Sequence, residues 1–138
     1  MSTQAHALPT TAAPNYLLRS LQANYVLSFL NGVLFIVAAN PVGRWMGLPN
    51  PMILLPIGIL FIGYAAFVYY TATRPVLNPA LVMGTVVGDS SGFVACLLLL
   101  FTNWVPLSTA GYGVIIFIAV VVDVFATLQF MGWRRLTA

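Results

Sequence analysis

Lysine and glutamate are absent from this 138-residue sequence, so its charged side chains are five Arg and two Asp. Charged residues make up 5% of the chain, whereas about 25% is usual for a soluble globular domain. Hydrophobic residues make up 61%. A hydrated surface over most of the chain is therefore excluded, and we expect the surface to face lipid or other protein.

Cysteine and histidine each occur once, as Cys96 and His6. One cysteine excludes an intrachain disulfide and a paired-cysteine zinc site. Haem or chlorophyll ligation calls for a histidine inside a span, and His6 lies in a polar segment. Sequence motifs for a nucleophilic triad, HExxH or a phosphate-binding loop are also lacking. We therefore expect no enzyme activity, no cofactor and no metal.

Four hydrophobic runs follow a polar tail at residues 1–15. Each run is long enough to cross about 30 Å of hydrocarbon as an α-helix. The sequence predicts an all-α polytopic membrane protein with one four-helix transmembrane domain, residues 16–138. The predicted spans are residues 16–39, 51–73, 79–102 and 110–132.

Helix starts are marked by two Asn-Pro pairs, Asn50-Pro51 and Asn78-Pro79. An Asn side chain caps the first turn, and proline at the first helical position loses no hydrogen bond there. Ser108 or Thr109 is expected to cap the fourth span.

The distribution of arginine predicts the orientation. Arg44 lies alone on one side of a four-span protein, and the other side carries Arg19, Arg74, Arg134 and Arg135. Basic residues favour the cytoplasmic side, so we expect both termini there. The arginines form no patch, which argues against nucleic-acid binding.

The two halves of the sequence share a repeated spacing of residues. Asn24 precedes Pro41 by the same interval that separates Asp89 from Pro106. The chain is therefore either a duplicated pair of helical hairpins or two hairpins whose similarity is coincidental.

Small residues recur every four positions in the third span, at Gly84, Gly88, Gly92 and Cys96. Such spacing lines one helix face and favours close helix packing in lipid. The contact lies either within one copy of the chain or against another chain.

Asp89 and Asp123 are the only carboxylates, and each lies inside a hydrophobic span. A charge at the bilayer centre costs at least a few kcal/mol, so such residues usually face the bundle interior and are often functional. No basic side chain lies near the middle of a span, because Arg19 is close to the start of the first. Each acid is therefore protonated, hydrogen-bonded to neutral groups, or matched by a cation from elsewhere.

Neutral polar residues are spaced to share helix faces with these acids. We expect a polar seam that joins three spans, formed by Asn24, Ser28 and Asn31 in the first, Thr85 and Asp89 in the third, and Asp123 and Thr127 in the fourth.

Several short segments resemble a family of uncharacterised bacterial four-span membrane proteins. They are MGLPNP after the first span, Tyr64-Ala65-Ala66, Thr73-Arg74-Pro75 and the stretch from Ala126 to Arg135. The resemblance implies the architecture and a bacterial origin, and it implies no activity.

Two functions fit these features. The first is a non-catalytic accessory subunit of a larger bacterial membrane complex that contacts lipid and other integral subunits, with respiratory or photosynthetic electron-transfer complexes as the favoured class. The alternative is a small oligomeric channel or a proton- or cation-coupled transporter that uses Asp89 and Asp123. A scaffold that contacts lipid or pigment is a third hypothesis.

Overall fold

The computed structural model describes residues 13–102 and 105–137, which are all helical or in short connections. Most of the predicted polar tail lies outside these residues. The helices, in chain order, are α1 (Asn15–Val37), α2 (Ala39–Trp45), a 3₁₀ turn (Pro51–Ile53), α3 (Leu54–Ala72), α4 (Pro79–Phe101) and α5 (Thr109–Thr137).

Four of these helical segments are long and apolar enough to cross a membrane. They are α1, α3 together with its preceding 3₁₀ turn, α4 and α5, referred to below as spans one to four. The all-α prediction with four spans is confirmed, and the chain is a multi-pass membrane protein.

The spans pack as two hairpins. Span one lies along span two, and span three lies along span four. The hairpins are held together mainly where α1 meets α5, whereas α3 and α4 touch at few positions. This uneven packing leaves a gap between spans two and three.

The backbones of the first hairpin approach each other closely at Gly32 and Gly58. A Cβ atom on either glycine would lie 2.8 Å from the carbonyl oxygen of the other. Only glycine allows this distance, and close approach of this kind gives dispersion contacts that lipid cannot replace. These two residues therefore fix how α1 and α3 face each other.

The predicted caps are present. Asn50 accepts a hydrogen bond from the backbone N–H of Met52, and Asn78 accepts one from Ala80. Ser108 Oγ accepts from Gly111 N–H at 3.0 Å, so Ser108, of the two candidates, caps the fourth span.

The connection after span one docks against the start of span four. Ser108 N–H donates to the Met46 carbonyl at 2.8 Å, and Ser108 Oγ donates to the Trp45 carbonyl at 2.6 Å. Gly47 turns the chain with a φ of +84°, a conformation that favours glycine. These contacts close the bundle at the end opposite the described chain ends.

The outer surface is strongly apolar. Large hydrophobic side chains on every span are exposed, including Leu30, Leu60, Phe101 and Phe117. In water such a surface would promote aggregation, whereas in a bilayer it contacts the acyl chains of the lipid.

Candidate functional site

Asp89 lies in the middle of α4 and is 2% exposed. The Nδ2 of Asn24, from span one, donates a 2.8 Å hydrogen bond to Asp89 Oδ2. Ser28, one helical turn further along α1, donates in turn to Asn24 Oδ1 at 3.1 Å. The carboxyl group is therefore fixed by a chain of neutral donors that begins on the other hairpin.

Tyr64, from span two, completes the cluster. Its hydroxyl oxygen lies 3.0 Å from Asp89 Oδ1 and 2.8 Å from the backbone carbonyl oxygen of Thr85. A tyrosine hydroxyl has one hydrogen to donate, so it donates to one of these oxygens at a time in a well-formed bond.

Two hydrogen-bond arrangements satisfy this geometry. With Asp89 ionised, Tyr64 donates to Oδ1, and the Thr85 carbonyl keeps its helical bond to the N–H four residues later. With Asp89 protonated, its own O–H donates to Tyr64, which then donates to Thr85. Rotation of one hydroxyl group therefore lets the cluster accept or release a proton without leaving a buried donor unpaired.

Glycines of α4 make room for aromatic rings of α3. A Cβ atom on Gly88 would lie 2.5 Å from the Tyr64 ring, and one on Gly84 would lie 2.8 Å from the Phe67 ring. A Cβ on Gly92 would meet nothing within 4 Å. The glycine series thus receives two side chains at one end of the span and lines open space further along.

Cys96, the last member of the series, is buried within the second hairpin. It packs in a cluster with Met46, Ile115 and Ala119. The series from Gly84 to Cys96 therefore changes its neighbours from span two to span four along its length.

The expected polar seam is only partly present. Asn24, Ser28 and Asp89 come together, and Thr85 contributes its carbonyl, while its hydroxyl donates to the Val82 carbonyl at 2.7 Å. Asn31 is half-buried and takes part in none of the described hydrogen bonds.

The extension of the seam to span four through Asp123 and Thr127 was wrong. Both residues are exposed on the outer side of α5 and face away from the bundle interior. The spacing placed them correctly on one helix face but did not show which way that face points.

Two residues of the interior were missed by the sequence analysis. Tyr64 was noted only in the resemblance, although a tyrosine in mid-span, away from headgroup depth, is a signal of a buried polar partner. Gln129 is fully buried on α5, and neither polar atom of its side chain has a hydrogen-bond partner among the described residues. It falls on the buried face that also carries Gly111, Ala119 and Gly132.

A cavity of about 620 Å³ opens beside the Asp89 cluster. Its walls come from all four spans and are mostly apolar, and its polar lining includes Ser28, Tyr64 and Asp89. Met46, Leu48 and Leu107, from the docked connections, line the opposite end. The polar cluster thus lies at the inner end of a mostly hydrophobic chamber.

The cavity is open on one side, between spans two and three. Leu60 on α3 and Ala95 on α4 both line it and are both exposed. Because α3 and α4 approach each other at the Tyr64 and Phe67 rings and are otherwise little in contact, the opening faces the region that lipid occupies.

Within residues 13–102 and 105–137, no group of three or more His, Cys, Asp or Glu side chains is arranged to hold a metal ion. The Asp89 cluster offers hydrogen bonding and exchange of a proton at its carboxyl group.

Comparison of the chain with protein-family models, with curated proteins and with solved structures finds no match. The resemblance drawn from short segments is therefore supported as far as the four-span architecture, and no family is identified.

Proposed function

We propose that the protein is a non-catalytic subunit of a larger integral complex in the bacterial cytoplasmic membrane, with both termini in the cytoplasm. Respiratory and photosynthetic electron-transfer complexes are the class that we favour, on the sequence-based grounds of short loops and close-packing helices without catalytic motifs. The observation that carries the proposal is the exposed position of Asp123.

Asp123 is the middle residue of the 29-residue helix α5, and it is exposed on the outer face together with Thr127 one turn later. A carboxyl group that faces lipid at this depth costs a few kcal/mol. Polar side chains of a neighbouring subunit would remove this cost by hydrogen bonding. The surrounding residues Val120 and Val124 are apolar and also exposed, so they would contact the same neighbour.

Site-specific photo-crosslinking in native membranes tests the proposal. A photoreactive amino acid at Val120 lies one turn from Asp123, and one at Leu30 is the matched control because both side chains are 57% exposed. We expect Val120 to give a discrete product with a different polypeptide, and Asp123→Leu to abolish it. Leu30 should give lipid adducts.

Two results would count against a subunit role. One is a Val120 product that contains only copies of this chain. The other is a discrete homo-oligomer without stoichiometric partners after purification of the native protein in mild detergent.

A second candidate, proton- or cation-coupled transport, is favoured by the Asp89 cluster. Its hydroxyl relay accommodates both protonation states of the carboxyl group, and it borders an open cavity. In a single copy of the chain Asp123 faces away from this cavity, so Asp89 would carry the activity alone.

Proton flux into proteoliposomes, followed with an enclosed pH-sensitive dye, tests this candidate. We expect Asp89→Asn to abolish the flux and Asp123→Asn to retain it. Unchanged flux in Asp89→Asn would exclude the transport role of this carboxyl group.

A further inference from the structure

We propose that the cavity beside Asp89 binds a lipophilic organic cation, an amine with an apolar body, which enters from the bilayer between spans two and three. The proposal is independent of the subunit role, because the exposed face of α5 that carries Asp123 forms no part of the cavity.

The size and lining of the cavity suit a small amphiphile. A volume of about 620 Å³ lies within the range of roughly 300 to 1,000 Å³ that is typical of small-molecule sites. Apolar side chains such as Phe35, Ile57 and Leu99 line most of the wall, and the one carboxyl group of the lining lies at one end. An occupant with one polar end and an apolar body matches this arrangement.

Hydrogen-bond capacity at the polar end selects the chemistry of the occupant. The side-chain amide of Asn24 forms its hydrogen bonds within the cluster, because its Nδ2 donates to Asp89 and its Oδ1 accepts from Ser28. The hydroxyl hydrogen of Ser28 is donated to Asn24, and the hydroxyl hydrogen of Tyr64 is donated to Asp89 or Thr85. Asn24 keeps a second N–H on Nδ2, but this residue does not line the cavity. On the lining at this end the free positions are lone pairs on the carboxyl group and on Ser28 Oγ, so the lining accepts hydrogen bonds and has no hydrogen left to donate.

A ligand that offers only acceptors, such as a carbonyl compound, would find no donor on this lining, because neither Asn24 nor Gln129 lines the cavity. An ammonium group supplies hydrogen-bond donors, and its positive charge would balance the negative charge of an ionised Asp89. The other titratable side chain in contact with Asp89 is Tyr64, and the residues that face it from spans one and four, Asn24 and Gln129, are neutral. A bound cation would therefore be the sole counter-charge in the described surroundings of this carboxylate.

Access from the bilayer suits a molecule that first partitions into lipid. Gly92 lies on the α4 wall of the cavity, and a Cβ added there would meet nothing within 4 Å. A larger side chain at this position is therefore accommodated without a clash and fills space that a ligand would need.

The proposal is tested by binding of dansylcadaverine, a fluorescent primary amine, to the full chain in nanodiscs, followed by energy transfer from tryptophan. Its N-acetyl derivative keeps the fluorophore and loses the charge. We expect the amine to bind at least tenfold more tightly than the acetylated compound, and Asp89→Asn to weaken amine binding by about 10- to 100-fold, as loss of hydrogen bonds to a charged group predicts.

Two glycine variants separate the cavity from nonspecific partition into the bilayer. Gly92→Leu should abolish binding, and Gly63→Leu should leave it unchanged, because Gly63 also has open space around its Cβ position but lies outside the cavity. Equal binding of the amine and its acetyl derivative, or normal binding by Gly92→Leu, would overturn the proposal. If Asp89→Asn does not fold, the ligand pair and the glycine pair still decide it.

Discussion

Asn24 and Asp89 are 65 positions apart in the sequence, and in the folded protein the Nδ2 of Asn24 donates a 2.8 Å hydrogen bond to Asp89 Oδ2. This bond joins the first hairpin to the second within the membrane-spanning region. Tyr64 contacts the other carboxyl oxygen, so three spans meet at one side chain. The cluster is therefore both a structural link between the hairpins and the polar end of the cavity.

Removal of the Asn24 bond should loosen the contact between hairpins. Asn24→Leu keeps the approximate volume and leaves Asp89 Oδ2 and Ser28 without their partner. We expect a loss of about 1 kcal/mol in the free energy of unfolding, measured by SDS titration in mixed micelles. Asn31→Leu on the same helix is the control, and it should change stability by less than about 0.5 kcal/mol. Equal losses in both variants would contradict a specific role for Asn24.

Tyr64 and Asp89 should be energetically coupled. Tyr64→Phe removes the hydroxyl but keeps the ring that packs against Gly88. In a double-mutant cycle with Asp89→Asn, we expect an interaction energy of about 0.5 to 3 kcal/mol, because the two groups share a hydrogen bond. The matched cycle with Tyr69→Phe should show none, since the Tyr69 side chain is exposed. Additive effects of Tyr64→Phe and Asp89→Asn would argue that the hydroxyl and the carboxyl group share no hydrogen bond.

Gly58 should not tolerate a methyl group. In Gly58→Ala the new Cβ would lie 2.8 Å from the Gly32 carbonyl oxygen, so the helices must move apart. We expect a loss of about 1 to 3 kcal/mol in unfolding free energy. Gly63→Ala, in the same helix with open space around it, should be neutral or more stable by about 0.5 to 1 kcal/mol, because alanine favours helix. Similar stabilities of the two variants would show that the first hairpin is less closely packed at Gly58 than the 2.8 Å distance indicates.

Gln129 should be replaceable by leucine with a gain in stability. Its side-chain amide is buried without a hydrogen-bond partner among the described residues, and an unpaired buried polar group costs about 1 to 3 kcal/mol. We expect Gln129→Leu to raise the thermal unfolding midpoint in detergent, whereas Gln22→Leu, at an exposed position, should leave it nearly unchanged. A lower midpoint for Gln129→Leu would show that the amide does have a partner, such as Asp89 after a side-chain rotation.

The number of spans and the residue at which each begins could be predicted from the sequence alone. Span number follows from the length of apolar runs, and Asn50, Asn78 and Ser108 act on backbone groups two or three residues away. Both properties are local. They require no knowledge of how one helix faces another.

Which polar residues come into contact depends on the packing of the helices and could not be predicted from the sequence. In a soluble helix the hydrophobic stripe marks the buried face, but a span in lipid is apolar all round, so periodicity alone does not show which side points inward. Close approaches such as Gly32 with Gly58 and Gly132 with Leu17 set the rotation of each helix about its axis. That rotation turns Gln129 inward and Asp123 outward, and it brings Tyr64 to Asp89 beside the cavity.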